Sequence, residues 1–300
     1  MTEDYAAIKR AVGTSVRNKR AVRLGVIGGV YRALLYLVVL VGAFSMILPM
    51  AWMVSTSLKE PGSILHMPPE FFPRPVYVWN YRRVFELSPF GSFYINSFKI
   101  STLATLGNLL SCSLGAFAFA RLRFPGKGFF FSILMATMMV PFPVTIIPTF
   151  AIMRWLGWID SHAALIVPSW FGGAFAVFLL RQHFLTLPQD LVDAARMDGA
   201  RYFAIYWRIF MPLSGPVLAT LSVLNFMWSW NDLIGPLIFL STLKKMTVTL
   251  GLTFFKGQLY YVLWGPLMAA TTLSMLPTLI LFVSAQRYFV RGIVLTGLKG

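Results

Sequence analysis

The stretch that decides the reading is Asp193-Ala194-Ala195-Arg196-Met197-Asp198-Gly199, followed after nine more residues by Ile209-Phe210-Met211-Pro212. It is charged, and it separates two long apolar segments about two-thirds of the way along the chain. Pro188 stands near the start of a short helical run, where its missing N–H costs little. Leu191, Ala194 and Ala195 fall at helical spacing and give that run a narrow apolar face. The two alanines are small enough for another surface to approach the backbone. Gly199 can take the positive φ that ends a helix. Residues 202–209 predict a second short helix that stops before Pro212. The product is a helix–turn–helix knob with a charged outside, suited to a cleft on a partner. A solvated connection between two helices is the plainer alternative.

The rest of the chain is apolar. Hydrophobic residues make up 57% of it and charged residues 12%, where a soluble protein carries about 25% charged residues. That composition predicts an all-α polytopic membrane protein. Six segments approach the roughly 20 apolar residues that a span needs: 30–53, 96–120, 129–151, 162–180, 213–240 and 265–286. Pro49, Pro141, Pro143, Pro148, Pro168, Pro236 and Pro277 interrupt them. Backbone groups freed at such breaks must be satisfied by neighbouring helices or by water in a cavity, which suits a moving pathway. Ordinary kinking accounts for them equally, because proline is common in membrane helices.

Lys and Arg set the expected orientation. With the N-terminus inside, inner segments hold seven in 1–32, three in 120–128, four in 181–212 and three in 287–300. Outer segments hold four in 59–93 and three in 241–264. This agrees with the positive-inside rule and places the knob in the cytoplasm. Residues 1–29 are expected to form a basic tail on the inner leaflet, with no apolar core of a cleavable signal. The net charge of +16 is largely this topological bias, and no nucleic-acid motif accompanies it.

Catalytic and metal chemistry find no residues to carry them. The run 125–128 lacks the spacer and the Ser/Thr of a phosphate-binding loop, so ATP hydrolysis belongs on another chain. His66, His162 and His183 are scattered and lack metal-ligand spacing. Cys112 is alone, which excludes an internal disulfide, and reads as a packing residue.

The knob resembles the EAA loop of ABC-importer permeases, which reads Glu-Ala-Ala, three residues, Gly, nine residues, Ile, one residue, Leu-Pro. Every spacing matches, with Asp193 for the Glu and Met211 for the Leu. Asp198-Gly199-Ala200 and Pro216 are also typical, and Gly199 stands 101 residues before the last residue, as in that family. Further likeness to the maltose-type carbohydrate permeases, on the side of the shorter second subunit, covers residues 30–300. It rests on Asn96-Ser97, 120–126, 228–232, 255–258 with Trp264-Gly265, 286–292 and 298–300.

The resemblance implies a type I ABC-importer permease fold of six transmembrane helices, within residues 30–290, with a cytoplasmic tail at 291–300. It implies that the loop at 184–212 couples to an ATPase through Asp193, Ala194, Ala195, Asp198 and Gly199. The external loop at 241–264 then resembles a scoop that enters the binding protein, with Phe255, Lys256, Gly257 and Gln258 at its docking face. Implied partners are a related second permease, two ATPase subunits, an extracytoplasmic solute-binding protein and a saccharide, in the bacterial cytoplasmic membrane. No cofactor is expected in this chain, with ATP and Mg on the ATPase.

Asn225, Ser229, Asn231 and Asp232 are polar residues of the fifth span, and such groups tend to face a bundle interior or cavity. Trp228 and Trp230 offer faces for sugar rings; an interfacial aromatic belt is the alternative. Lys244, Lys245 and Lys256, on an outer segment without an acid, favour an acidic partner or an acidic saccharide, and docking to a binding protein or plain solvation explains them as well. A permease for glycerol phosphate or an acidic oligosaccharide is the alternative within the class. A secondary transporter would need several intramembrane ionisable groups and an internal repeat, and only Asp232 is a candidate. A membrane enzyme would need convergent acid–base groups, and none emerge.

Overall fold

In a computed structural model of the chain, the backbone is described for residues 2–256 and 262–297, and side chains for 29, 31–256 and 262–286. The chain divides into two compact units, Met1–Ser55 and Thr56–Gly300. The first consists of helix α1, Thr2–Ser57, apart from that helix's last two residues. The helix runs unbroken past residue 29, where a boundary between tail and span was expected.

The second unit is helical, with no strand among the described residues. After α2 (Trp79–Leu87) comes α3 (Phe90–Arg121), the long second span. Next follow α4 (Lys127–Ala136), α5 (Phe142–Trp155), and the short α6 (Ala163–Ile166), which a 3-10 turn at Val167–Phe171 joins to α7 (Ala174–Thr186). The knob contains α8 (Asp190–Met197), α9 (Tyr202–Ile205) and α10 (Met211–Leu213). Then come α11 (Gly215–Trp230), α12 (Ile234–Phe239), α13 (Val248–Gly251) and α14 (Trp264–Gly297).

Four helical stretches are long and apolar enough to cross a membrane: Tyr31–Ser57, Phe90–Arg121, Ala163–Thr186 and Trp264–Gln286. Two bent pairs raise the number to six. The expected straight span at 129–151 is instead two arms, Lys127–Met139 and Phe142–Trp155, meeting at 104°. Pro141 and Pro143 explain the break, because each removes a donor and its ring clashes with the preceding turn. The other pair, Tyr202–Leu213 and Gly215–Trp230, bends by 79° at Ser214, next to Pro216.

Two buried clusters hold the ends of the second unit. At one end Phe117, Leu180, Phe184, Ile205, Tyr206 and Phe210 pack together, with aromatic centroids 5.0–6.4 Å apart. At the other, Val84, Phe90, Phe93, Trp230, Val248 and Phe255 do so. Edge-to-face pairing of rings at such distances stabilises beyond area alone. Between the clusters α3 is the central post, touching α7 and α11 along much of its length.

Candidate functional site

The knob ends its first helix with a complete Schellman motif. The Ala200 N–H donates to the Ala195 carbonyl at 2.9 Å, and the Gly199 N–H to that of Arg196 at 3.0 Å. Gly199 has φ +78°, the left-handed region that only glycine enters freely. Ala195 and Ala200, on either side of the turn, both pack against the buried cluster. Val192 is the buried residue of α8, whereas Leu191 and Ala194 are exposed and Met197 is 89% exposed. The expected single face therefore splits. Val192 and Ala195, at i and i+3, anchor the helix inward. Leu191, Asp193, Ala194 and Met197 remain outward, together with Asp198 and Gly199.

The second helix does not stop before Pro212. A π turn at Tyr206–Phe210, closed by Met211 N–H to Tyr206 carbonyl, widens the helix ahead of the proline and carries it on to Leu213. Widening of this kind accommodates the ring without a break. Arg121, at the end of α3, fastens the knob's base. Its guanidinium donates to Gln189 Oε1 at 2.6 Å, to the Phe184 carbonyl at 2.7 Å and to the Leu187 carbonyl, and lies 5.2 Å from the Phe210 ring centre. These are the last carbonyls of α7, where a cation is favourable.

The polar residues of α11 and of the turn that follows it are sorted by helical spacing. Asn225, Trp228, Ser229 and Asp232, at i, i+3, i+4 and i+7, line one recess of about 590 Å³ together with Thr105 and Asn108 of α3. Asn225 Nδ2 donates to Asn108 Oδ1 at 3.0 Å, and Asn108 Nδ2 to the Ser169 carbonyl at 3.0 Å. Cys112 Sγ lies 3.5 Å from the same Oδ1, and the Gly173 N–H donates to it at 3.1 Å. Asn108 thus ties three spans at the floor of the recess. Trp230 is elsewhere: it is buried, stacked on Phe226 at 5.7 Å and edge-on to Tyr94 at 5.4 Å, with Nε1 donating to the Ser274 carbonyl. Its ring faces are covered, which removes it from the stacking candidates. Asn231 turns back to the Met227 carbonyl of its own helix at 2.8 Å.

The loop at the opposite end is stitched down by side chains. Asn96 donates to the Lys244 and Met246 carbonyls at 2.9 and 3.0 Å, and the Val248 N–H donates to Ser97 Oγ at 2.8 Å. Asp160, with φ +56°, accepts from the Ser241 and Thr242 N–H groups, the Thr242 hydroxyl and Lys245 Nζ, at 2.5–3.0 Å. The Thr242 bonds above all, then those from Ser241 and Lys245, hold this carboxyl well below its ordinary range. His162 Nε2 donates to the Lys245 carbonyl at 2.8 Å, and burial pushes its pKa down. Of the docking candidates, Phe255 is buried in the second cluster and so anchors the loop instead of facing a partner. Lys256 is exposed, and Gly257 and Gln258 lie outside the described residues. The Leu263 N–H, donating to the Phe255 carbonyl at 3.0 Å, closes the loop.

Sequence reasoning gave Asp160 and Asn108 no role and read His162 only as lacking metal-ligand spacing. The signal for Asn108 was present: Ser97, Ser101, Thr105, Asn108 and Cys112 follow helical spacing within an apolar span, and all are buried. Asp160 carries no local signal, since its partners lie about 80 residues away. Among the described residues no group of three or more His, Cys, Asp or Glu is placed to hold a metal.

Comparison with known proteins follows the same outline. Residues 107–295 match the family of binding-protein-dependent transport system inner membrane components. The chain belongs to this family. It is a permease component of an ABC importer, as the loop motif implied. A probable ABC transporter permease of Bacillus subtilis, YurM, is 31% identical over 258 residues, covering 84% of this chain and 83% of that protein. The sn-glycerol-3-phosphate permease UgpE of Yersinia pestis is 30% identical over 266 residues, covering 86% and 94%. The arabinooligosaccharides permease AraQ of Halalkalibacterium halodurans is 33% identical over 231 residues, covering 77% and 82%. Among solved structures, a chain of a bacterial ABC transporter involved in import of the acidic polysaccharide alginate superposes with TM-score 0.79 at 23% identity, over 87% of this chain and 96% of that one. It shows the shared permease fold.

Proposed function

We propose that this permease moves a saccharide, handed over by a solute-binding protein, through a pathway built with a second, related permease. Two ATPase subunits, carrying ATP and Mg, seat the knob of residues 190–199 in a groove. Both termini and the knob face the cytoplasm, and the loop stitched by Asp160 faces outward, as the distribution of Lys and Arg favours. Closure of the ATPases pushes the knob, and because Arg121, Val192 and the aromatic cluster root it in α3 and α7, the push reaches the spans.

The observation that carries this reading is the split of α8. Val192 and Ala195 are spent on the permease's own core, while Leu191, Ala194 and Met197 are exposed beside Asp193 and Asp198 among the described residues. Exposed apolar residues with a charged rim are the form of a protein contact. Nothing lies within 4 Å of a Cβ built on Gly199, so a partner can reach its backbone.

The test is ATP-driven uptake by the full assembly in proteoliposomes. Gly199→Asp adds bulk and charge at the docking face without forbidding the backbone, since Asp tolerates left-handed φ. The variant is expected to assemble but to lose ATP-driven uptake. Normal uptake would overturn the coupling role, and uptake indifferent to an inert ATPase would overturn the importer reading. A second reading, transport of glycerol phosphate, is favoured by the likeness to UgpE over 266 residues.

A further inference from the structure

The recess between α3 and α11 discriminates between these substrates. Resting on the importer reading, we propose that it is a binding subsite for an uncharged sugar unit, and that the solute passing this subunit is a neutral saccharide and not a phosphate or uronate.

The first observation is charge. Among the described residues no Lys, Arg or His lines the recess, and the one ionisable residue lining it is Asp232. An anion seated there would meet a carboxylate and no cation among the lining residues, and like charge beside it disfavours binding. The basic residues of the outer end lie elsewhere. Lys245 is engaged by Asp160 at 2.9 Å, and neither Lys244 nor Lys256 borders the recess. The positive charge of the chain therefore gives no reason to expect an anionic solute at this position.

The second observation is an open hydrogen bond. Thr105 is 7% exposed and lines the recess, and its Oγ1 is buried without a partner among the described residues. A buried hydroxyl left unpaired costs free energy that a ligand hydroxyl can recover. In contrast, the amides of Asn108 and Asn225 bond each other and the Ser169 carbonyl, so the floor is fixed before any ligand arrives. Asp232 Oδ1 accepts from the Gly235 N–H at 3.1 Å, which holds that carboxylate at the rim.

The third observation is flat apolar surface. Trp228 is 81% exposed at the edge of the recess, and Phe142 and Phe175 line it. A ring with an apolar C–H face and hydroxyls on its edge satisfies aromatic walls and a few polar groups at once. The volume is of the size found for small-molecule sites, which span about 300–1,000 Å³.

The experiment measures ATP-dependent uptake by the reconstituted assembly with its ATPase and binding protein. The probes are neutral linear trisaccharides of glucose, arabinose and xylose, trigalacturonate and glycerol 3-phosphate. Uptake of a neutral trisaccharide is expected. Thr105→Val, which keeps the shape and removes the hydroxyl, should raise its KM about 3- to 10-fold, and Thr105→Ser should restore it. Basal ATP hydrolysis by each variant reports whether it has folded and assembled. ATP-dependent uptake confined to trigalacturonate or glycerol 3-phosphate overturns the inference and leaves the importer reading standing. So does an unchanged KM for the neutral sugar in Thr105→Val. Uptake that ignores ATP overturns the importer reading instead.

Discussion

The knob at residues 184–212 and the loop at 239–256 are both polar connections between apolar spans, yet they are held by opposite means. The knob is held by burial: Val192, Ile205, Tyr206 and Phe210 enter a core shared with α3 and α7, and Arg121 and the Ser113–Tyr206 hydroxyl pair, 2.7 Å apart, add side-chain bonds from α3. The other loop has little helix of its own. It is laced to distant segments by Asn96, Ser97, Asp160 and His162, bonding mostly to backbone groups. An element rooted by buried side chains can be pushed as a rigid body while its outer face stays open. A laced loop has its backbone groups occupied and keeps its shape only while the surrounding spans keep theirs. The contrast suits the proposed division, in which the first takes the push and the second keeps position.

The sharpest way to break this contrast is Arg121→Ala. Its charge-assisted bonds reach three acceptors, and hydrogen bonds to charged groups contribute about 1.5–3 kcal/mol each. Discounting for partial exposure, a loss of about 2–3 kcal/mol is expected, seen as a lower melting temperature and faster trypsin cleavage at Arg196 and Arg201. Arg121→Lys should recover only part, because an ammonium cannot fork to all three. Unchanged cleavage would mean that the knob needs no external fastening.

A smaller effect sharpens the same point. Gly199→Val forces a β-branched residue to φ +78° and should cost about 1–2 kcal/mol, whereas Gly199→Asn should cost a few tenths. No neighbour lies within 4 Å of the added Cβ, so the difference reports backbone conformation alone. Equal melting temperatures for the two variants would show that the Schellman turn does not hold the knob.

These regions also differ in how far the sequence revealed them. The knob was legible because its determinants are local. Two of the three residues read there as an approachable apolar ridge, Leu191 and Ala194, are exposed; Ala195 turns to the core with Val192, because Leu191 and Val192 are equally apolar and only the tertiary packing chooses Val192. On α11 the spacing itself held more than was taken from it. Trp228 and Trp230 stand two apart and cannot share a helix face, so one had to be core once the other lined the recess. Phe254 and Phe255 pose the same choice without a long helix to decide it; Phe255 is buried and Phe254 stacks on Phe93 from outside, at 46% exposure. The broken third span was foreshadowed by Pro141 and Pro143, but an angle of 104° depends on packing that no local pattern encodes.

The smallest predicted effect tests the laced loop through pH. His162 faces Asp160, Lys245 and Lys99; burial and the two lysines disfavour its charged form, while the Lys245 carbonyl and Asp160 favour it, and the net shift is downward. Its unfolded value is about 6.5. The unfolded loop therefore binds more protons than the folded one below that pH, and the stability His162 contributes is present above about 6.5 and is lost as pH falls through its lower folded value. Asp160 has the same sign in a lower window. Its contribution is present above the unfolded carboxylate value of about 3.9 and is lost as pH falls toward its depressed folded one. The loop should therefore loosen in two acid steps, read as rising protease cleavage after Lys244 and Lys245 with a protease active across the range. His162→Gln, which cannot charge, should erase the step below about 6.5 and leave the Asp160 step in place. If cleavage at the loop is flat from neutral to mildly acid pH while the knob's changes, His162 does not lace this loop.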